Sequence, residues 1–430
     1  MSTSSQSPSA TLLARFQSFR TQTESLCAPL TPEDTVMQPM VDVSPPKWHL
    51  GHTTWFFETF ILKPHARNYQ EFHPQYAFLF NSYYNTLGSR VNRAERGTLS
   101  RPPMADILAY RAHVNHAMET LLQSDFLSQN PNQAPLFELG LQHEQQHQEL
   151  LVTDIKYILS CNPLLHAYLP EDSTVFGPKS GKQPKNEWVT VSAGMYQIGH
   201  QGEGFCFDNE LNPHQVYLAE FKARAWLVTN QEYLRFIEDG GYQNFVYWLG
   251  EGWDLVQQQQ WQAPLYWLQQ ENEWYYYTLH GLQKLDLEAP VTHISFYEAL
   301  AYANWSGNRL LTEFEWEALA QKHAGSPAAG NFLESQSLQP KPAFQADENV
   351  AAVQLLGDAW EWTYSAYLPY PGFETAPGAI GEYNGKFMIN QMVLRGGSCA
   401  TPQSHIRTTY RNFFHADKRW QFTGIRLAQK

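Results

Sequence analysis

His143 and His147 stand four residues apart in Gln142-His143-Glu144-Gln145-Gln146-His147-Gln148-Glu149, a run of strong helix formers. On a helix that spacing projects both imidazoles from one face toward one point, so two metal ligands come pre-aligned. Because Glu144 follows the first histidine, the run also fits the H-E-x-x-H pattern of zinc metalloproteases. No zincin-type downstream ligand motif follows it, and its helical surroundings argue against that reading. The chain has 16 histidines, and spacing alone leaves structural histidines and metal ligands equally open.

A third ligand has to come from elsewhere, and Trp48-His49-Leu50-Gly51-His52 offers one. Pro45-Pro46 can open a helix at its first turn, after which Trp48, His52, Trp55, Phe56 and Thr59 share one face. An imidazole without a partner on that aromatic face would cost free energy, and a metal would satisfy it. His49 is read as structural or as a partner to a ligand. Three neutral imidazoles leave half an octahedron open, which suits an iron(II) that must accept a thiolate, a second substrate or dioxygen.

These histidines need a rigid frame. From about Ala10 to Tyr168 the apolar spacing is helical, as in Leu12, Leu13, Phe16 and Phe19, with a break at Pro131 to Pro135. Four such helices would make a bundle, whose facing side chains commonly build metal sites. Around Glu171 to Asn186 the composition shifts to Pro, Lys, Gly and Ser, which reads as a linker. Beyond it the strands are short, as in Trp188 to Val191 and Val393 to Gly397, and two helices stand out, Asn230 to Glu238 and Phe296 to Trp305. The expected division is therefore a bundle over 10–170, a linker over 171–186 and an α+β domain over 187–430. The Trp- and Tyr-dense stretch from Trp248 to Tyr277 shows no usable periodicity.

Bulk properties exclude other classes. The 430 residues exceed what one core usually supports, and 43% apolar with 14% aromatic content fits a pocket-rich globular enzyme. A formal charge of -13 would repel a phosphate backbone, so nucleic acid is not an expected partner. Cys27, Cys161, Cys206 and Cys399 are widely spaced, with no C-x-x-C, which points to neither a disulfide framework nor a thiolate zinc site. The Ser-rich start lacks a signal-peptide pattern, and no apolar run approaches the ~20 residues of a membrane span. A cytoplasmic location with no membrane association is expected, and no obligate protein partner is evident.

The segments Trp48 to Glu58, Asn81-Ser82-Tyr83-Tyr84-Asn85 and His143 to His147 resemble the DinB-type bundle of the ergothioneine and ovothiol sulfoxide synthases. The C-terminal half is similar to that family's other domain, a C-type-lectin-like fold shared with formylglycine-generating, sulfatase-modifying enzymes. Phe207-Asp208-Asn209-Glu210, Val228 to Tyr233, Pro290 to Ser295, Arg309 to Glu317, Gly357 to Thr363 and Arg395-Gly396-Gly397-Ser398 carry that likeness. The resemblance spans roughly Phe16 to Leu427 and implies an α+β multidomain chain: an N-terminal DinB-like four-helix bundle followed by a lectin-like domain.

The resemblance implies an oxidoreductase in which His52, His143 and His147 hold Fe(II) and dioxygen is co-substrate. Its product would be a sulfoxide joining cysteine to the imidazole of N-alpha-trimethylhistidine. It further implies that Gln146 and Asn412 bind the trimethylhistidine and that Arg90 and Arg93 bind the carboxylate of the thiol. An arginine fork suits a carboxylate, whereas surface arginines need no such role. A trimethylammonium group prefers aromatic faces, which makes Phe413 and Phe414 candidate cage walls, with core packing the alternative. Members that use gamma-glutamylcysteine follow the motif asparagine with Trp, Asp and, four residues on, Arg; here Phe413, Phe414 and Lys418 stand there, which favours free cysteine. The family's C-terminal active-site tyrosine has no secure match between Tyr364 and Met392, so its proton-donating role is expected of Tyr83 or Tyr84, Tyr83 preferred. Other readings are an ovothiol-type synthase, a zinc-dependent DinB thiol transferase, a sugar-binding scaffold, or a formylglycine-type oxidase, for which only Cys399 stands in the C-terminal part where a close pair is needed.

Overall fold

The computed structural model describes residues 8–170, 186–344, 351–377 and 379–430. The expected linker lies almost wholly within 171–185, outside the described residues. The chain divides into two compact units, one of residues 1–163 with 377–382, the other of 164–376 with 383–430. Residues 164–170, expected at the end of the bundle, therefore belong to the second unit. There the Tyr168 and Leu169 amides donate to the Leu279 carbonyl, and the Tyr277 hydroxyl donates to His166 O at 2.7 Å.

The first unit is built on four helices, α1 (Pro8–Cys27), α2 (Pro46–Phe57), α3 (Met104–Gln123) and α4 (Ala134–Ser160). Proline stands in the first turn of α2 and of α4, where no intrahelical N–H is needed. Every residue of α2 is buried, because the other three helices pack around it. Two glycines permit this closeness. A Cβ at Gly51 would lie 2.4 Å from the Phe80 ring, and one at Gly140 on α4 would lie 2.7 Å from Phe57 on α2. Past Phe57 the helix widens into a π-helical turn, Glu58–Leu62, a feature that often marks functional sites. Glu58 is buried there and accepts hydrogen bonds from the Tyr69 and Tyr110 hydroxyls, both at 2.6 Å.

In the second unit one sheet orders the strands Trp188–Val191, Phe221–Arg224, Leu427–Ala428 and Arg309–Leu310. Another orders Asn412–His415, Gln391–Arg395, Trp360–Ala366 and Thr423–Gly424. Among the described residues, four helices of nine or more residues accompany them rather than the two expected: α5 (Asn230–Glu238), α6 (Gly250–Gln259), α7 (Phe296–Trp305) and α8 (Glu313–His323). Reciprocal capping boxes start three of these, Thr229 with Glu232, Ser295 with Glu298 and Thr312 with Glu315. The aromatic stretch after Trp248 resolves into α6 followed by a three-stranded antiparallel sheet, Trp267–Gln270, Glu273–Thr278 and Gly281–Lys284.

Candidate metal centre

Among the described residues, His52, His143 and His147 form the one cluster of three ligand-type side chains whose donor atoms lie within 4.8 Å of one another. His52 comes from α2 and the other two from α4, a helix turn apart. All three are buried. His52 Nε2 and His143 Nε2 are 3.1 Å apart, a spacing that two bonds of about 2.1 Å to one shared ion can span.

The orientation of His52 is fixed from both sides. Its Nδ1 meets the Phe80 carbonyl at 2.6 Å; a carbonyl only accepts, so the ring proton sits on Nδ1 and Nε2 is bare. The close approach that Gly51 allows brings that carbonyl into place. The Trp48 indole stacks on one side of the ring (4.6 Å, 10°) and Trp55 on the other (5.4 Å, 18°), while Phe56 lies against His143 at 4.7 Å. Burial in this aromatic cage depresses the proton affinity of all three imidazoles, His143 down to about 3, with the neighbouring histidines adding repulsion at each. At neutral pH they are uncharged, the state in which imidazole binds a metal.

Glu144 faces away from this point. Its carboxylate accepts from Arg20 Nη1 (2.8 Å), Thr23 Oγ1 (2.6 Å) and Arg111 Nη2 (3.1 Å), all buried. A glutamate so occupied cannot serve as the general base of a metalloprotease, which removes the H-E-x-x-H reading.

The tyrosine pair lies along the Trp55 side of the cage. Tyr84 is fully buried against Trp55 (5.5 Å) and Phe60 (5.3 Å), and Tyr83 stacks on it at 4.7 Å. Asn81 clamps this turn, donating to the Tyr84 carbonyl and accepting from its amide. The next turn, Asn85–Leu87, is held by Glu382, which accepts from the Asn85 and Thr86 amides. Arg90 donates to Asn85 Oδ1 and Arg93 to the Asp42 carbonyl; both arginines are exposed. Gln146 is half-buried on α4.

Asn412, Phe413 and Phe414 belong to the second unit. Asn412 follows Arg411, whose guanidinium is fixed by Glu313 and by the Asn209 and Leu368 carbonyls, so the start of this strand is rigidly seated. The Asn412 Oδ1 accepts from the Phe413 amide. Phe413 stacks on Tyr367 at 4.0 Å, whereas Phe414 packs edge-on against Trp420 at 5.5 Å. Neighbouring strand residues point to opposite faces, so the two rings do not form two walls of one cage, and that expectation is corrected.

Three features of the first unit escaped the sequence reading. Arg96, third in the spacing Arg90, Arg93, Arg96, is buried and lies 3.5 Å over the Trp48 ring, on an indole that itself stacks on His52. Asp154, seven residues after His147 and so on the same face of α4, reaches His49, which contacts His147. The Arg20–Glu144–Arg111 cluster was invisible because long charged side chains read as surface.

Residues 15–151 match the DinB superfamily, and residues 174–430 match the sulfatase-modifying factor enzyme 1-like domain. A bundle of the first kind ahead of a domain of the second defines the class as a two-part sulfoxide synthase, an oxygenase. The chain is 31% identical over 417 residues to hercynine oxygenase of Mycolicibacterium smegmatis, covering 90% of this chain and 91% of that one. With hercynine oxygenase of Mycolicibacterium thermoresistibile it shares 30% identity over 426 residues, 92% and 88% of the two chains. Formylglycine-generating enzyme of Bos taurus is 25% identical over 281 residues, 56% of this chain and 73% of that one. The chain belongs to the hercynine oxygenase family.

Proposed function

We propose that this chain is an iron(II)-dependent sulfoxide synthase that joins free cysteine to the imidazole of N-alpha-trimethylhistidine (hercynine) at the expense of dioxygen. The observation that carries the reading is the convergence of three buried, neutral imidazoles with His52 Nε2 bare and aimed at His143 Nε2. Three nitrogen donors without a carboxylate fit a ferrous ion with open positions for both substrates and oxygen. Bound there, the metal supplies the one-electron chemistry that lets triplet dioxygen react with a thiol and an aromatic carbon. The balance is simple: one C–H and one S–H bond break, one C–S bond forms, one oxygen atom goes to sulfur and the other leaves as water.

The residues of this chain bind, orient and exclude water. Tyr83 or Tyr84 would hold and give the proton needed as oxygen is consumed, and Trp55 and Phe60, packed against Tyr84, would keep that path dry. Arg90 and Arg93 would grip the cysteine carboxylate after leaving their partners Asn85 and Asp42. Gln146, half-buried on α4, would help hold the betaine. Lys418 is engaged with its neighbour Asp417, and position 414 carries no acid to receive the ammonium of a gamma-glutamyl group.

Metal-free protein loaded anaerobically with ferrous iron, then given trimethylhistidine, cysteine and air, should consume one oxygen per sulfoxide, read by electrode and mass spectrometry. Replacing cysteine with gamma-glutamylcysteine should lower kcat/KM about 10- to 100-fold, the cost of leaving a buried charge without its partner. Preference for the dipeptide overturns the thiol assignment, and turnover with zinc without oxygen uptake would identify a thiol transferase instead. Changing Tyr83 and Tyr84 together to Phe should divert oxygen to cysteine sulfinate; an unchanged product ratio removes both from the proton path.

A further inference from the structure

Against His147 Nδ1 a second imidazole and a carboxylate are buried in line. His147 Nδ1 lies 2.9 Å from His49 Nδ1, and His49 Nε2 lies 3.0 Å from Asp154 Oδ2. His49 and Asp154 are 2% and 3% exposed, so water does not compete for these bonds. The same Asp154 oxygen accepts the Ser44 amide at 2.8 Å, just ahead of α2. Ser44 Oγ in turn accepts from Arg96 Nη1 at 2.9 Å, and Arg96 rests on Trp48. The carboxylate is thus fixed from the start of α2 and cannot swing away from His49.

We propose that His49 and Asp154 are positioning residues that lock His147 in the tautomer with its proton on Nδ1, so that Nε2 is bare and aimed at the metal before any metal arrives. The proton count follows from the donors and acceptors. An ionised Asp154 only accepts, so His49 carries a proton on Nε2. Across the 2.9 Å contact one Nδ1 donates and the other accepts, and with the His49 proton held on Nε2 by Asp154 the donor is His147 Nδ1. His147 Nε2 is left without a proton. His52 reaches the same tautomer through a backbone carbonyl, so two ligands on two helices are preset by different means. Outer partners of this kind also make the ligand more basic and typically cost about 10- to 100-fold in metal affinity when removed.

This assignment rests on the metal reading, but its central test needs no metal. In the metal-free full chain labelled with 15N-histidine, long-range proton–nitrogen correlation should show His147 protonated on Nδ1, although free imidazole side chains in water favour Nε2. Asp154→Asn should return His147 to the Nε2-protonated form. His49→Gln, whose amide oxygen can still accept from His147 Nδ1, should preserve the wild-type tautomer, while His49→Phe should lose it. Anaerobic titration with ferrous iron against a chelator should then show Asp154→Asn weaker by about 10- to 100-fold and His49→Gln near wild type. A merely structural role would weaken folding in these variants without moving the tautomer, so thermal unfolding is measured beside it. A proton on His147 Nε2 in the wild type, or an Asp154→Asn chain with unchanged tautomer and affinity, overturns the proposal. The stated tautomer in a chain that binds zinc and rejects ferrous iron supports the positioning role and overturns the iron reading.

Discussion

Alanine at position 143 is expected to abolish sulfoxide formation while leaving the bundle folded. His143 completes a triangle of imidazoles, its ring centroid 4.9 Å from His52 and 4.6 Å from His147, which are themselves 4.7 Å apart. Its removal leaves two donors, one per helix, and no geometry that closes around an ion. The loss in ferrous affinity should therefore exceed the about 100-fold that deleting an outer partner costs at most. The folding cost should stay within the roughly 0.5–3 kcal/mol of an ordinary buried substitution, because an imidazole already neutral in the fold surrenders packing and no charge. Chelator competition, oxygen uptake and thermal unfolding, measured on His143→Ala beside wild type, separate these two losses. Retained turnover with unchanged iron affinity would sink the assignment of His143 as a ligand.

The histidine cluster was legible because its parts are local. His143 and His147 share a helix face, and His52 stands on an aromatic face that a short window reveals. What positions these histidines was far less visible. Whether His49 serves His147 depends on how α2 packs against α4, and nothing in Trp48-His49-Leu50 encodes that pairing. Once His147 is placed against His49, the Asp154 seven residues on becomes readable as a same-face partner. Thr312-Glu313-Phe314-Glu315 spells the capping box that starts α8, a signal readable in a four-residue window. α6 hid for a different reason, since Gln257 to Gln260 gives its C-terminal turn no apolar stripe. The Glu382 contact with the Asn85 turn joins residues 297 apart, a pairing no window on one sequence can anticipate. Phe413 and Phe414 were paired as candidate walls by the family likeness, and strand alternation turns their rings to opposite faces.

Glutamine at Glu144 is expected to destabilise the bundle by about 3–5 kcal/mol, the cost of leaving a buried charge without its partner, out of a typical total of about 5–15 kcal/mol. The carboxylate ties all four helices together. Arg20 reaches it from α1 and Arg111 from α3, and both guanidiniums also donate to Thr54 on α2. Burial by itself would raise the Glu144 carboxyl, yet Arg20, Arg111 and the Thr23 hydroxyl outweigh it and hold the group down to about 2. Arg20 is in turn pulled down to about 10 by burial and by Arg111, so this buried cation requires the anion beside it. With Glu144 neutral, Glu24 is the acid left beside Arg111, and it is 41% exposed. The sign with pH follows. The folded carboxyl titrates below its ordinary value of 4.5, so its contribution is complete above that pH and drains away as pH falls from 4.5 toward 2. Hydrogen exchange along α4 is the appropriate measurement, because a two-unit chain has no single unfolding free energy. Wild type should lose α4 protection through that acid window, and Glu144→Gln should exchange faster at pH 7 with little further loss on acidification. Equal α4 protection in the two proteins at pH 7 would show that the arginines do not depend on this carboxylate.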